Sequence, residues 1–164
     1  MVSADNDSQS LPVIGWREWL SFPELGIPGL KAKIDTGARS SALHTHDYEI
    51  YEDPEGISRV RFHLHPLRGR ADIELSCDAK VTGMREVKDS GGHIEHRPFI
   101  TVAADLGGVV WPIEISLTNR ESMRFRMLLG RTAIRGNFLI DTGRSYLLGK
   151  SLARQYPRRR RVEG

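Results

Sequence analysis

The sequence predicts an all-β fold, a closed barrel or sandwich of short strands, and three observations carry that expectation. Apolar residues recur at every second position over much of the chain. Glycine-rich turn signals separate these runs, and helical periodicity is almost absent. In "RVRFHLHPL", residues 59–67, Val60, Phe62 and Leu64 share one face, opposite Arg61, His63 and His65. In "ADIELSCDAKV" the apolar set is Ile73, Leu75, Cys77, Ala79 and Val81. In "VWPIEISLTN" it is Trp111, Ile113, Ile115 and Leu117. Such alternation is expected of half-buried antiparallel strands. The turns between them read "DPEG", "RGR", "DSGGH" and "LGG". One short helix is expected over residues 131–136, "RTAIRG", closed by a C-terminal glycine.

A chain of 164 residues fits one domain, placed at 13–150 between a disordered polar segment, 1–12, and a basic tail, 151–164. The single cysteine, Cys77, excludes an internal disulfide framework. Its place on an apolar face reads as a buried thiol rather than a nucleophile. No apolar run reaches the roughly 18 residues a spanning helix needs, so no membrane partner is expected. The opening "MVSADNDSQS" lacks a basic-then-apolar secretory pattern, which points to the cytoplasm. The formal charge of +3 falls to −1 without the four arginines that follow Pro157. The body is therefore not strongly basic, and no requirement for nucleic acid is expected.

The segment "LKAKIDTGARSSALH" contains the chemistry-bearing candidate. Leu30, Ala32 and Ile34 mark one face of a strand, and Gly37 lets the backbone turn directly after it. Asp35 is thereby presented at an exposed strand end, with Thr36 able to hydrogen-bond locally. Asp-Thr-Gly is also ordinary turn chemistry, and it occurs again at Asp141-Thr142-Gly143.

Three stretches together carry a family likeness: "GWREWLSFPELGIPGLKAKIDTGARSSALH", "DSGGHIEHRPFI" and "MRFRMLLGRTAIRG". Their order resembles the retroviral-type aspartic proteases, and more closely the RimB-type, retropepsin-like proteins over residues 14–149. These are also labelled ATP-dependent zinc proteases and are associated with the RimK glutamate ligase. The resemblance implies a closed β-barrel of the acid-protease fold with one short C-terminal helix. It implies a catalytic Asp35 oriented by Thr36 and Gly37, and a flap over "KDSGGHIEH" with Gly91 and Gly92 at its tip. The substrate-binding set it suggests is Ala38, Arg39, His44, Ser90, Gly91, Gly92 and His93, and Gly130 with Arg131 would support the Asp35 loop.

Acid proteolysis needs two carboxylates that share a proton across one water, because two such charges in contact cannot both stay ionised near neutral pH. Asp141 lies too near the end of the chain to head a second lobe, with 23 residues after it. The expected partner is Asp35 of a second copy, in a two-fold homodimer. The implied substrate is an acidic, glutamate-rich peptide, the oligoglutamate extension of a small-subunit ribosomal protein. Arg39, His44, Arg85, Lys88, His93 and Arg97 would supply cations near it, Arg39 foremost. Two alternatives stay open. Either His-x-His pair, His44-x-His46 or His63-x-His65, could hold zinc, although no His-Glu-x-x-His helix is present. The chain could also be an acidic-peptide binding module without hydrolysis. No phosphate-cradling glycine loop occurs, and no cofactor is expected.

Overall fold

The computed structural model describes residues 10–89, 91–120 and 124–158. Among these residues twelve strands carry the fold. The first six are β1 (Val13–Gly15), β2 (Arg17–Phe22), β3 (Ile27–Asp35), β4 (Ser41–His44), β5 (Asp47–Glu52) and β6 (Ser58–Leu64). The rest are β7 (Leu75–Lys80), β8 (Gly83–Lys88), β9 (Ile94–Leu106), β10 (Val109–Thr118), β11 (Met127–Gly130) and β12 (Leu139–Asp141). One helix, α1 (Arg131–Ile134), follows β11, and 3-10 turns occupy Pro23–Leu25 and Ser151–Gln155. The expected helix ends earlier than Gly136, which instead takes a left-handed φ of 78° in the turn after it.

The alternating runs form strands whose apolar faces turn inward. Val60, Phe62 and Leu64 of β6 are completely buried, as are Ile115 and Leu117 of β10 and Leu30 and Ala32 of β3. Each large side chain so removed from water contributes roughly 1.5–3 kcal/mol. Cys77 lies in the same core, where burial pushes its thiol up to about 12, so it stays protonated as a packing residue.

The main sheet runs β10-β4-β11-β3-β2-β9-β8, and β9 also pairs along β10 from Phe99 to Leu106. The pairing therefore comes round on itself, but the β2–β9 seam is a single pair, Ser21 with Asp105. A bulge between Leu20 and Phe22 bends β2 there, and Glu24 Oε1 accepts the Ala103 N–H at 3.0 Å in place of a strand carbonyl. The expected closed barrel is thus a rolled sheet without a continuous ladder at that seam. A second sheet holds β5-β6-β7, and β1 pairs with β12.

The three alternating runs pair antiparallel as expected, β6 with β7 and β10 with β9, but three further pairings are parallel, β4 with β10, β3 with β11 and β1 with β12. Alternation reports which face is buried and says nothing of the neighbour's direction. The ordered body also passes the expected boundary at 150. Tyr156 is buried, and its hydroxyl donates to the Gly29 carbonyl at 2.6 Å and accepts the Gly29 N–H at 3.3 Å. An apolar ring that satisfies two backbone groups outweighs the arginine-rich composition around it. The disorder expected for residues 1–9 and 159–164 falls outside the described residues.

Candidate active site

β3 ends at Asp35, and the chain turns at once. Asp35 Oδ1 accepts the Gly37 N–H at 3.2 Å, and the Asp35 carbonyl accepts the Ala38 N–H at 3.2 Å. β11 runs parallel to β3 with Gly130 directly opposite Asp35. A Cβ on Gly130 would stand 2.5 Å from both the carbonyl carbon and oxygen of Ser40, so only glycine permits this crossing. Beyond it the start of α1 clamps the loop. The Arg131 N–H donates to Ala38 O at 2.8 Å, and Thr132 Oγ1 to Arg39 O at 2.7 Å. Arg131 Nη1 donates to Gly37 O at 3.2 Å, and the Gly130 N–H to Ser41 Oγ at 3.0 Å.

The same unit occurs a second time. β12 ends at Asp141, whose Oδ1 accepts the Gly143 N–H at 3.0 Å, and Gly15 of β1 lies opposite it in parallel register. The Trp16 N–H donates to Arg144 O at 2.9 Å, matching the bond from Arg131 to Ala38. The repeat was not visible in the sequence because only the Asp-Thr-Gly halves match. The crossing strands share little beyond a glycine. Asp141 takes no part in the walls around Asp35.

Those walls enclose a cleft of about 1370 Å³. Asp35, Gly37, Ala38 and Arg39 form one side, and β8 and β9 face them with Arg85, Lys88, Asp89, Arg97 and Phe99. Trp111 to Glu114, Arg120 and Arg131 to Ala133 complete it. Three of its six arginine and lysine side chains, Arg85, Arg97 and Arg120, are paired with carboxylates. Arg85 meets Glu114 at 2.6 Å and lies over the Phe99 ring at 4.1 Å. Buried Arg97 meets Glu95 at 2.6 Å. Arg39 and Lys88 have no carboxylate partner among the described residues, and both side chains are exposed at the rim.

The β8–β9 hairpin is anchored at its tip. Asp89 Oδ1 accepts the N–H groups of Gly91 and His93, each at 2.9 Å, and Oδ2 meets Arg120 at 2.8 Å. The Arg120 hydrogen bond, followed by the His93 amide, lowers the Asp89 carboxyl to about 2.

His44 departs from the cationic role expected of it. It lies on β4 among the cleft-lining residues yet is 4% exposed, with neither ring nitrogen hydrogen-bonded. Burial, then Arg97, Arg120 and Arg126, lowers its pKa to about 4, so it is neutral at pH 7. The other histidines do not assemble a metal centre. His63 Nδ1 pairs with Asp47 at 2.6 Å, and His65 with Glu74 at 3.7 Å. Among the described residues no three His, Cys, Asp or Glu side chains are grouped to hold an ion.

A profile described as RimB-like, retropepsin-like aspartic endopeptidase RimB, matches residues 13–151. The chain belongs to the RimB-like family. Among solved structures, a Legionella pneumophila protein of unknown function is similar with a TM-score of 0.69 and 29% identity, over 84% of this chain and 98% of that one. Among curated relatives, a probable alpha-L-glutamate ligase of Shewanella halifaxensis is 44% identical over 84% of this chain and 30% of its own length. The Desulfotalea psychrophila protein of that name is 38% identical, over 93% of this chain and 33% of its own. The chain thus spans about a third of the length of the curated relatives it matches.

Within this RimB-like architecture the structure brings Asp35, Gly37, Ala38, Arg39 and His44 to one cleft. Thr36 is exposed on the same loop outside the lining. Gly91, Gly92 and His93 sit exposed at the hairpin tip, also outside it, and Ser90 lies outside the described residues. Sequence reasoning missed Arg120, Trp111 and Glu114. Arg120 follows β10 with no local signal, and its pairing with Asp89 spans 31 residues.

Proposed function

We propose that the chain is an aspartic peptidase in which Asp35 of two copies holds one water. One carboxylate takes a proton from that water as it attacks the peptide carbonyl, and the other gives its proton to the carbonyl oxygen. The single observation that supports this reading best is the placement of Asp35. It stands at a strand end, clamped from below by Gly130, Arg131 and Thr132, and opens on a cleft. One protomer supplies one such carboxylate, so the homodimer is part of the proposal.

The proposed substrate is an acidic peptide, the oligoglutamate extension of a small-subunit ribosomal protein in the cytoplasm. Arg39 and Lys88 at the rim support it by offering charge-assisted hydrogen bonds to side-chain carboxylates. The relatives named as probable glutamate ligases supply a further reason, since a glutamate-adding enzyme and a glutamate-removing unit would act on one product. Ala38, Arg39 and His44 would form the inner contact surface, and the hairpin tip from Ser90 to His93 would close over the chain.

Oligoglutamate-tailed peptides assayed with the parent and Asp35→Asn test the proposal. Cleavage that survives chelators and vanishes in Asp35→Asn, with the dimer intact by light scattering, supports it. Chelator-sensitive cleavage would favour a zinc peptidase. Absence of cleavage by the parent, with binding retained, would favour an acidic-peptide module. An active protein that remains strictly monomeric overturns the paired-carboxylate mechanism.

A further inference from the structure

A second cavity, of about 440 Å³, shares no residue with the Asp35 cleft. Its walls carry Arg17, Lys31, Arg68, Arg70, Arg124 and Arg126 and no carboxylate. Arg70 is paired with exposed Asp72 at 2.8 Å. Arg17, Lys31, Arg68 and Arg124 have no carboxylate partner among the described residues. Aromatic rings hold several of these cations instead. The Arg17 guanidinium lies 4.5 Å from the Trp16 ring centroid and 4.8 Å from that of Tyr146, with Nε donating to Ser145 Oγ at 3.1 Å. The Lys31 ammonium lies 5.6 Å from the Trp19 centroid and the Arg124 guanidinium 5.9 Å from that of Phe125. Partial loss of hydration, then the neighbouring cations, Arg17 foremost, lower the exposed Lys31 ammonium below its usual range.

The backbone beside this cavity is strained and braced. Tyr146 has a φ of 54°, the one positive value for a non-glycine among the described residues. Its N–H donates to Arg17 O at 3.0 Å, and the buried carboxylate of Glu18 accepts the next two N–H groups, from Leu147 and Leu148. A crowd of like charges repels itself, and a strained backbone costs of order 1–3 kcal/mol. The Glu18 and Arg17 hydrogen bonds offset the strain, whereas no carboxylate in the walls offsets the charge. Six cations in walls without a carboxylate are expected of a preformed site for an anion.

We propose that this cavity binds single-stranded nucleic acid through its phosphodiester groups. Five of its six cations are arginines, whose planar fork matches a phosphate with two parallel hydrogen bonds. Trp19 and Phe125 are buried beneath their cations, so the stacking faces for bases are the guanidinium planes of exposed Arg68 and Arg124. The proposal stands independently of the reading of Asp35.

Fluorescence anisotropy of the full chain with a labelled single-stranded RNA, of about 12 nucleotides, tests it across a salt series. The log of the parent's affinity should fall linearly with log salt. Lys31→Glu/Arg124→Glu alters two exposed side chains and should fold as the parent does, checked by circular dichroism. It should bind at least about tenfold more weakly, with a slope shallower by about 1.4, or 0.7 per phosphate lost. Arg68→Glu should weaken binding in the same direction and serves alone if the double variant does not fold. Absence of RNA binding by the parent at low salt overturns the proposal. Unchanged binding by these variants overturns it too, by assigning the affinity to the arginine-rich tail. Displacement of RNA by poly-glutamate as readily as by unlabelled RNA would make this an acidic-peptide site instead.

Discussion

Gly130 lies directly across from Asp35 in parallel register, so close to the loop after Asp35 that a methyl group on it would overlap the Ser40 carbonyl. Gly15 stands in the same relation to Asp141, where a Cβ would lie 2.8 Å from the Arg144 carbonyl carbon. The two crossings are structurally alike, and only the first borders the cleft.

That pairing separates stability from activity. Gly130→Ala and Gly15→Ala should each destabilise the fold by roughly 1–3 kcal/mol, the usual cost of overpacking, read from urea denaturation. At a temperature where both remain folded, Gly130→Ala should lose the proposed peptidase activity through a displaced Asp35 loop. Gly15→Ala should keep it. Equal activity losses in the two variants would count against the role given to the Gly130 crossing.

His44 should impose an acid limb on stability. Its folded pKa of about 4 lies below the ordinary 6.5, so between those values the unfolded chain binds a proton that the folded one refuses. Stability therefore falls as pH drops through that window, by about 3 kcal/mol at its lower end. Arg97, Arg120 and Arg126 favour the neutral ring and Glu95 opposes them. Denaturant melts of His44→Phe from pH 7 to 4 should show a flatter profile than the parent. Parallel profiles would refute the assignment.

Arg120 should govern the hairpin tip. Arg120→Ala removes the main partner of Asp89, and amide exchange at Gly91 and His93 should accelerate while the β6 amides stay protected. The anchor has a pH limit of its own. Asp89 titrates at about 2 in the fold against an ordinary 3.8, so its contribution is complete above 3.8 and is lost as pH falls towards 2. In the parent, tip exchange, once corrected for intrinsic rate, should therefore stay constant down to about pH 4.

Tyr156→Phe tests the docking of the 3-10 turn. It removes a hydroxyl that serves both polar groups of Gly29, leaving them buried without that partner. A loss of about 1–3 kcal/mol in chemical denaturation is expected. Truncation after Lys150 should cost more, because the buried Tyr156 ring goes as well.

Much of this molecule was legible residue by residue. The inward faces of β3, β6 and β10 follow from alternation alone, because a period of two is a property of one strand and needs no knowledge of its neighbour. Asp35 at a strand end, with glycine two residues on, is likewise local. The likeness across three separated stretches extended that reading to the family. Other features had no local signal. The parallel crossings, the open β2–β9 seam and the burial of Tyr156 all depend on partners far along the chain.

The sequence by itself determined that the chain is β-rich, which residues face inward, and that an Asp-Thr-Gly turn ends a buried strand. Tertiary structure alone decided which glycine passes beneath that turn, that His44 is buried and neutral, and that scattered arginines from β2 to Arg126 converge on one cavity without carboxylates. The physical reason is range. Side-chain alternation and turn chemistry act over a few residues, whereas desolvation and charge crowding are set by whatever the fold brings within several ångströms.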